Sequence, residues 1–115
     1  MIKLSKEMHV DEKSNFRDGE GLISLTRVLE SAQLNDKCDV YSKVTLPVGS
    51  SIGYHVHTGN TETYYILKGT ALANDNGIES VLEAGDMIFT PDGSGHAIKN
   101  IGNVDLEFMA LVIRS

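Results

Sequence analysis

Apolar positions in this chain come in short clusters rather than in long stripes at helical spacing. In "CDVYSKVTL", which starts at Cys38, the residues Val40, Tyr41, Val44 and Leu46 set β-branched or aromatic side chains between polar ones, as a half-buried strand does. "TYYILKG", "SVLEAG", "DMIFTP", "HAIKN" and "LEFMALVI" follow, each about a strand in length. Most are bounded by Gly, Pro, Asn or Asp, the punctuation of turns. "NDNG" at 74–77 predicts a hairpin, because Asn and Gly tolerate positive φ. The one segment arguable as a helix is "LISLTRVLESAQL" (22–34). Its apolar spacing mixes two periods, and it reads as strand or irregular chain. Many short strands separated by turns predict an all-β barrel or sandwich.

A length of 115 residues allows one domain with its own core and is short for two, so residues 1–115 read as a single unit. Residues 1–20 read as a loose start or as a strand for contact with a second copy. The apolar share of 41% and charged share of 23% are those of an ordered globular chain and exclude a disordered one. Ten Lys and Arg against sixteen Asp and Glu give a net charge of −6, which disfavours nucleic acid and anionic membrane surfaces as partners. The N-terminal "MIKLSKEMHVDEKSNF" has no apolar run of signal-peptide length, and no stretch is long enough to cross a bilayer. A single cysteine, Cys38, excludes an internal disulfide and reads as a small buried hydrophobe. The cytoplasm is the expected compartment.

The candidate chemistry lies in "GYHVHTGNTETYY", residues 53–65. On a strand, His55 and His57 point to one face, with Ser51 and Gly53 beside them and Tyr54 and Val56 opposite. Glu62 opens the next strand and stands opposite the histidine pair if the two strands form a hairpin. Two imidazoles and a carboxylate then converge, a workable donor set for a divalent transition metal. His96, in "GDMIFTPDGSGHAIKN", follows a Pro-Asp-Gly turn and can reach the same interior. His9 sits in a charged stretch and reads as solvated. Against the metal stands the plainer alternative that each histidine is simply hydrogen-bonded.

The two segments resemble the paired motifs of the cupin superfamily. The first runs Gly49, five residues, His55, one residue, His57, four residues, Glu62, six residues, Gly69. The second runs Gly85, five residues, Pro91, one residue, Gly93, two residues, His96, three residues, Asn100. Residues 70–84 form a short spacer between them, and the motifs cover about a third of the chain. The resemblance implies a double-stranded β-helix, the jelly-roll barrel, with one divalent metal ion held through His55, His57, Glu62 and His96. It gives Gly69 and Gly85 to tight strand ends, Gly93 to the turn after Pro91, and Asn100 to backbone groups rather than to a ligand.

Three nitrogens and one oxygen leave two open positions on an octahedral ion and suit Mn²⁺, Fe²⁺, Ni²⁺ or Zn²⁺, with Mn²⁺ the leading candidate. The expected partner is a small anionic organic molecule, a carboxylate or oxo-acid bound directly to the metal. Tyr64 shares the ligands' face and is the candidate catalytic hydrogen-bond partner, and Ile98 lies beside His96. On the last strand either Phe108, Ala110 and Val112 or Met109 and Leu111 face inward. That strand is apolar on both faces, which points to a homodimer. Among cupins the motifs look most like small oxalate-decarboxylase-like or oxalate-binding proteins. Decarboxylation needs an acidic proton donor, and Glu20 or Glu30 are the candidates to approach the mouth. The readings in play are a metal-dependent enzyme, a non-catalytic anion-binding or sensor module, and an iron-dependent dioxygenase.

Overall fold

In a computed structural model, which describes residues 1–115, the chain folds into ten strands in two antiparallel sheets. The strands are β1 (Val10–Ser14), β2 (Leu22–Arg27), β3 (Cys38–Leu46), β4 (Ser51–Val56), β5 (Asn60–Lys68), β6 (Thr70–Asp75), β7 (Ile78–Glu83), β8 (Met87–Thr90), β9 (Gly95–Asn100) and β10 (Leu106–Arg114). One sheet has the order β1-β2-β3-β10-β5-β8, the other β4-β9-β6-β7. No helix is long and apolar enough to cross a membrane.

The core lies between the sheets and is built by strict alternation. Along β10, Leu106, Phe108, Ala110 and Val112 are buried while Glu107, Met109 and Leu111 are only partly so, which decides the inward face of this strand. Val44 and Leu46 of β3 and Ile66 of β5 meet them from the same sheet, and Ile52, Ala71, Ala73 and Ile98 from the other. Burying this many branched and aromatic side chains is the main force holding the sheets face to face. Asn100 is buried at the end of β9 and serves only backbone: its Nδ2 donates to Leu46 O and Val104 O, both at 2.8 Å, and its Oδ1 accepts from Gly102 N.

The 74–77 stretch is the expected hairpin. Asn76 and Gly77, with φ of 50° and 99°, are its two central residues, and positive φ at both matches the twist of the flanking β6 and β7. Gly69, Gly85 and Gly93 also have positive φ. Residues 22–34 divide into β2 and one turn of helix, α1 (Ser31–Leu34), which the sequence reading lacked. Its signal was a capping box: Glu30 accepts from the backbone of Gln33, whose side chain accepts from Glu30 N at 3.1 Å. Within residues 1–20, β1 pairs with β2 at the sheet edge, between 3₁₀ turns at Ser5–Glu7 and Phe16–Asp18.

Two local expectations fail near β4. First, β4 and β5 do not form a hairpin; β4 pairs with β9 and β5 with β10 and β8, so residues 57–59 carry the chain from one sheet to the other. Second, the β4–β9 ladder shifts register between Ile52 and His55. A bulge inserts one residue and reverses the alternation. Ile52, not Ser51 or Gly53, therefore shares the inward face with His55 and His57. Ser51 Oγ instead accepts from Glu20 N at 2.9 Å, and Gly53 presses against the turn at Phe16–Asp18.

Candidate metal centre

Three strands deliver the four residues to one point. His55 near the end of β4 is directly paired with His96 of β9, and His57 follows immediately after β4. Glu62 enters from β5 in the opposite sheet, so the cluster closes across the sandwich rather than along a hairpin. The Nε2 atoms of His57 and His55 each lie 3.1 Å from His96 Nε2. Glu62 Oε1 is 2.9 Å from His57 Nε2 and 3.1 Å from His96 Nε2. One donor atom from each residue falls within 4.8 Å of all the others.

Each imidazole is held from its far side. His55 Nδ1 donates to Gly53 O at 2.8 Å and His57 Nδ1 to Asn60 Oδ1 at 2.7 Å, while His96 Nδ1 pairs with Thr90 Oγ1 at 2.8 Å. A proton on Nδ1 leaves the Nε2 lone pair free, and all three lone pairs aim at the same spot. Converging lone pairs repel unless a proton or a cation lies between them. Two donors bonded at right angles to one cation at about 2.1 Å sit roughly 3 Å apart, which is the spacing found. The donor set fits one divalent ion.

Charge in the cluster follows the same logic. Burial alone would push the Glu62 carboxyl up, but the hydrogen bonds from His57 and His96 outweigh it and hold it at about 2. Glu62 raises the His57 imidazole above its usual value, against burial. Burial lowers His55, with help from the neighbouring positive groups. Tyr64, fully enclosed, stacks on His96 with ring centroids 4.7 Å apart and puts its hydroxyl 3.3 Å from His96 Nε2. Burial, reinforced by Glu62, drives its phenol well above the ordinary tyrosine value, so it is a protonated donor at any working pH.

The cluster is the floor of a cavity of about 410 Å³, large enough for a small organic ligand. Val40, Val44, Ile52, Ala110 and Val112 form apolar walls, and Phe16, Arg17, Thr58 and Asp39 stand around it. Neither Glu20 nor Glu30 lines it. Glu30 accepts from Arg27 Nη1 at 3.1 Å and pairs with Lys3, away from the cavity. The sequence reading did not single out Asn60, Thr90 or Arg17. Thr90 had a weak signal, since it precedes Pro91 within the second motif; Arg17 had none, because a turn distant in sequence brings it here. His9 is exposed and paired with Asp11, and Cys38 is half-buried and unpaired rather than enclosed.

Two facing antiparallel sheets with three histidines and one glutamate gathered between them define a metal-site β-sandwich of the double-stranded β-helix kind. The family model described as "Cupin domain" matches residues 42–113, and the chain belongs to the cupin family. It is 40% identical over 113 residues to an "Oxalate-binding protein" of Thermotoga maritima, covering 98% of this chain and 93% of that one. Its fold superimposes with a TM-score of 0.95, at 39% identity and full coverage of both chains, on the crystal structure of "a predicted oxalate decarboxylase" from Thermotoga maritima. The Schizosaccharomyces pombe Cnp3 cupin domain shares the fold with a TM-score of 0.73 at 14% identity, covering 91% of this chain and 69% of that one.

Proposed function

We propose that this protein binds one divalent metal ion through His55, His57, Glu62 and His96 and holds a small carboxylate or oxo-acid directly on it. The observation that carries the reading is the convergence of three Nε2 atoms and Glu62 Oε1, with every imidazole locked by a bond on its Nδ1. A bound divalent ion supplies a Lewis acid that attracts a carboxylate and stabilises negative charge on its oxygens. The chain's own residues do the rest. The apolar walls exclude water, and the neutral Tyr64 hydroxyl, 3.3 Å from His96 Nε2, offers a proton for a hydrogen bond at the edge of the cluster. Likeness to an oxalate-binding protein supports a small anionic ligand. Mn²⁺ is the first metal to test, ahead of Fe²⁺, Ni²⁺ and Zn²⁺.

Binding is favoured over decarboxylation, because the cavity presents no spare acid. Glu62 belongs to the ligand cluster, Asp39 accepts from Arg114 Nε at 2.7 Å, and Glu20 and Glu30 stand elsewhere. Elemental analysis after dialysis against each metal, then calorimetry with oxalate and 2-oxo acids, tests this reading. One equivalent of metal and metal-dependent carboxylate binding are expected. A protein that takes up none of the four metals overturns it. Turnover of a bound acid would shift the reading to an enzyme, and oxygen uptake with Fe²⁺ but not Zn²⁺ to a dioxygenase.

The same reading makes the whole chain one cupin unit that works as a cytoplasmic homodimer. The unpaired Cys38 thiol suits a reducing compartment. On the outer face of the six-stranded sheet, Met109 stands beside Tyr65 and Tyr65 beside Met87, while Thr63 links Leu111 to Phe89. Met87 and Phe89 are 58% and 47% exposed, a poor arrangement for a lone protomer and a good one for a second copy.

A further inference from the structure

Arg17 is set apart from the chain's other arginines. Arg27 is bonded to Asp11 and Glu30, and Arg114 to Asp39, whereas the Arg17 guanidinium has no ion pair and no hydrogen bond. It is exposed, rests over the Phe16 ring with 5.4 Å from Cζ to centroid, and lines the cavity above the metal centre. Three charged residues besides the histidines line that cavity. Glu62 is spoken for by His57 and His96, and Asp39 by Arg114, so Arg17 is the one charge left without a partner. An arginine fork matches a carboxylate with two parallel hydrogen bonds, and that geometry suits a planar dianion.

The turn that carries Arg17 is built to stay where it is. Arg17 and Asp18 have φ of 55° and 63°, a backbone region costly for side-chain-bearing residues and kept only where packing enforces it. The packing is a double glycine contact. A Cβ on Gly53 would lie 2.0 Å from Arg17 O, and one on Gly19 would lie 2.2 Å from Ser51 O. Gly53 also accepts from His55 Nδ1, so a single residue touches both the Arg17 backbone and the imidazole that joins the cluster.

We propose that Arg17 receives the far carboxylate of a short dicarboxylate whose near carboxylate sits at the His55–His57–Glu62–His96 cluster, so that the site selects dianions over monocarboxylates. This rests on the metal–carboxylate reading above.

The test is calorimetry on the full chain loaded with Mn²⁺, using oxalate, malonate and succinate against acetate and formate. Wild type, Arg17→Ala and Arg17→Lys are compared, with metal content and circular dichroism checked for each. Arg17→Ala is expected to weaken at least one dicarboxylate by roughly 10- to 100-fold while leaving acetate affinity, metal content and fold unchanged. Arg17→Lys, which keeps the charge without the fork, should restore part of the loss. If wild type binds carboxylates and Arg17→Ala binds every dicarboxylate as tightly, or loses acetate and dicarboxylates alike, the Arg17 assignment falls and the metal–carboxylate reading stands. If metal-loaded wild type binds no carboxylate at all, both fall together.

Discussion

His55 and His96 are directly paired in the β4–β9 ladder and bring their Nε2 atoms to 3.1 Å, although forty residues of chain lie between them. Each ring is aimed by a partner on its other nitrogen, Gly53 O for His55 and Thr90 Oγ1 for His96, and so close an approach calls for a proton or a cation between the two lone pairs. Orientation is thus determined outside the cluster, and the consequences can be measured there.

Thr90→Val removes the hydroxyl behind His96 at nearly constant volume. Metal affinity is expected to fall by about 10- to 100-fold, as for other losses of a hydrogen bond behind a metal-binding histidine. Asn60→Ala should do the same through His57. Competition titration with a chelator reads both, and unchanged affinity in the two variants would show that the Nδ1 partners do not orient the rings.

The pH response has two opposite parts. Glu62 is held at about 2, below its ordinary 4.5, so the metal-free protein gains stability from it above pH 4.5 and loses that gain as pH falls towards about 2. Glu62→Gln should flatten this acid limb in thermal melts. His57 is raised by its bond to Glu62, so its contribution is complete below about 6.5 and disappears as pH rises through the raised value. Metal must displace that proton. Metal affinity should therefore drop as the solution is acidified through the His57 titration, with proton release seen as a buffer-dependent binding heat. An affinity independent of pH over that window counts against the assignment of His57.

Gly53→Ala places a methyl group 2.0 Å from Arg17 O, with backbone rather than a flexible side chain in the way. A loss of about 1–3 kcal/mol is expected from urea unfolding, the usual cost of overpacking. At Gly49 nothing lies within 4 Å of the added Cβ, so Gly49→Ala reports the cost of positive φ alone. If the two variants lose the same stability, the packing of the Phe16–Asp18 turn on β4 is not what requires Gly53.

A homodimer built on the outer face of the six-stranded sheet should be broken by charge. Light scattering is expected to give about twice the chain mass of 12.5 kDa for wild type and the single mass for Phe89→Lys. A wild-type monomer at micromolar concentration would remove the proposed interface.

What was readable in advance depended on distance along the chain. The His55, His57, Glu62 and His96 cluster was legible because the resembling motifs space these residues at fixed intervals, and strands β3 and β5 because their alternation is local, whereas β10, apolar on both faces, left its inward face to the structure. The hairpin reading of β4 and β5 failed since a strand's pattern does not say which sheet it joins. Ser51 and Gly53 were placed on the wrong face because alternation carries no mark of a bulge.

Sequence by itself determined the all-β architecture, the turn at Asn76–Gly77 and the donor atoms available to a metal, since each follows from residue type and short-range periodicity. Only the tertiary structure decided that Glu62 reaches the histidines from the opposite sheet, that Gly53, Asn60 and Thr90 aim the rings, and that Arg17 stands unpaired over the cavity. Those relations arise where strands far apart in order pack together, and close packing between sheets is a property of the assembled core, not of any one segment.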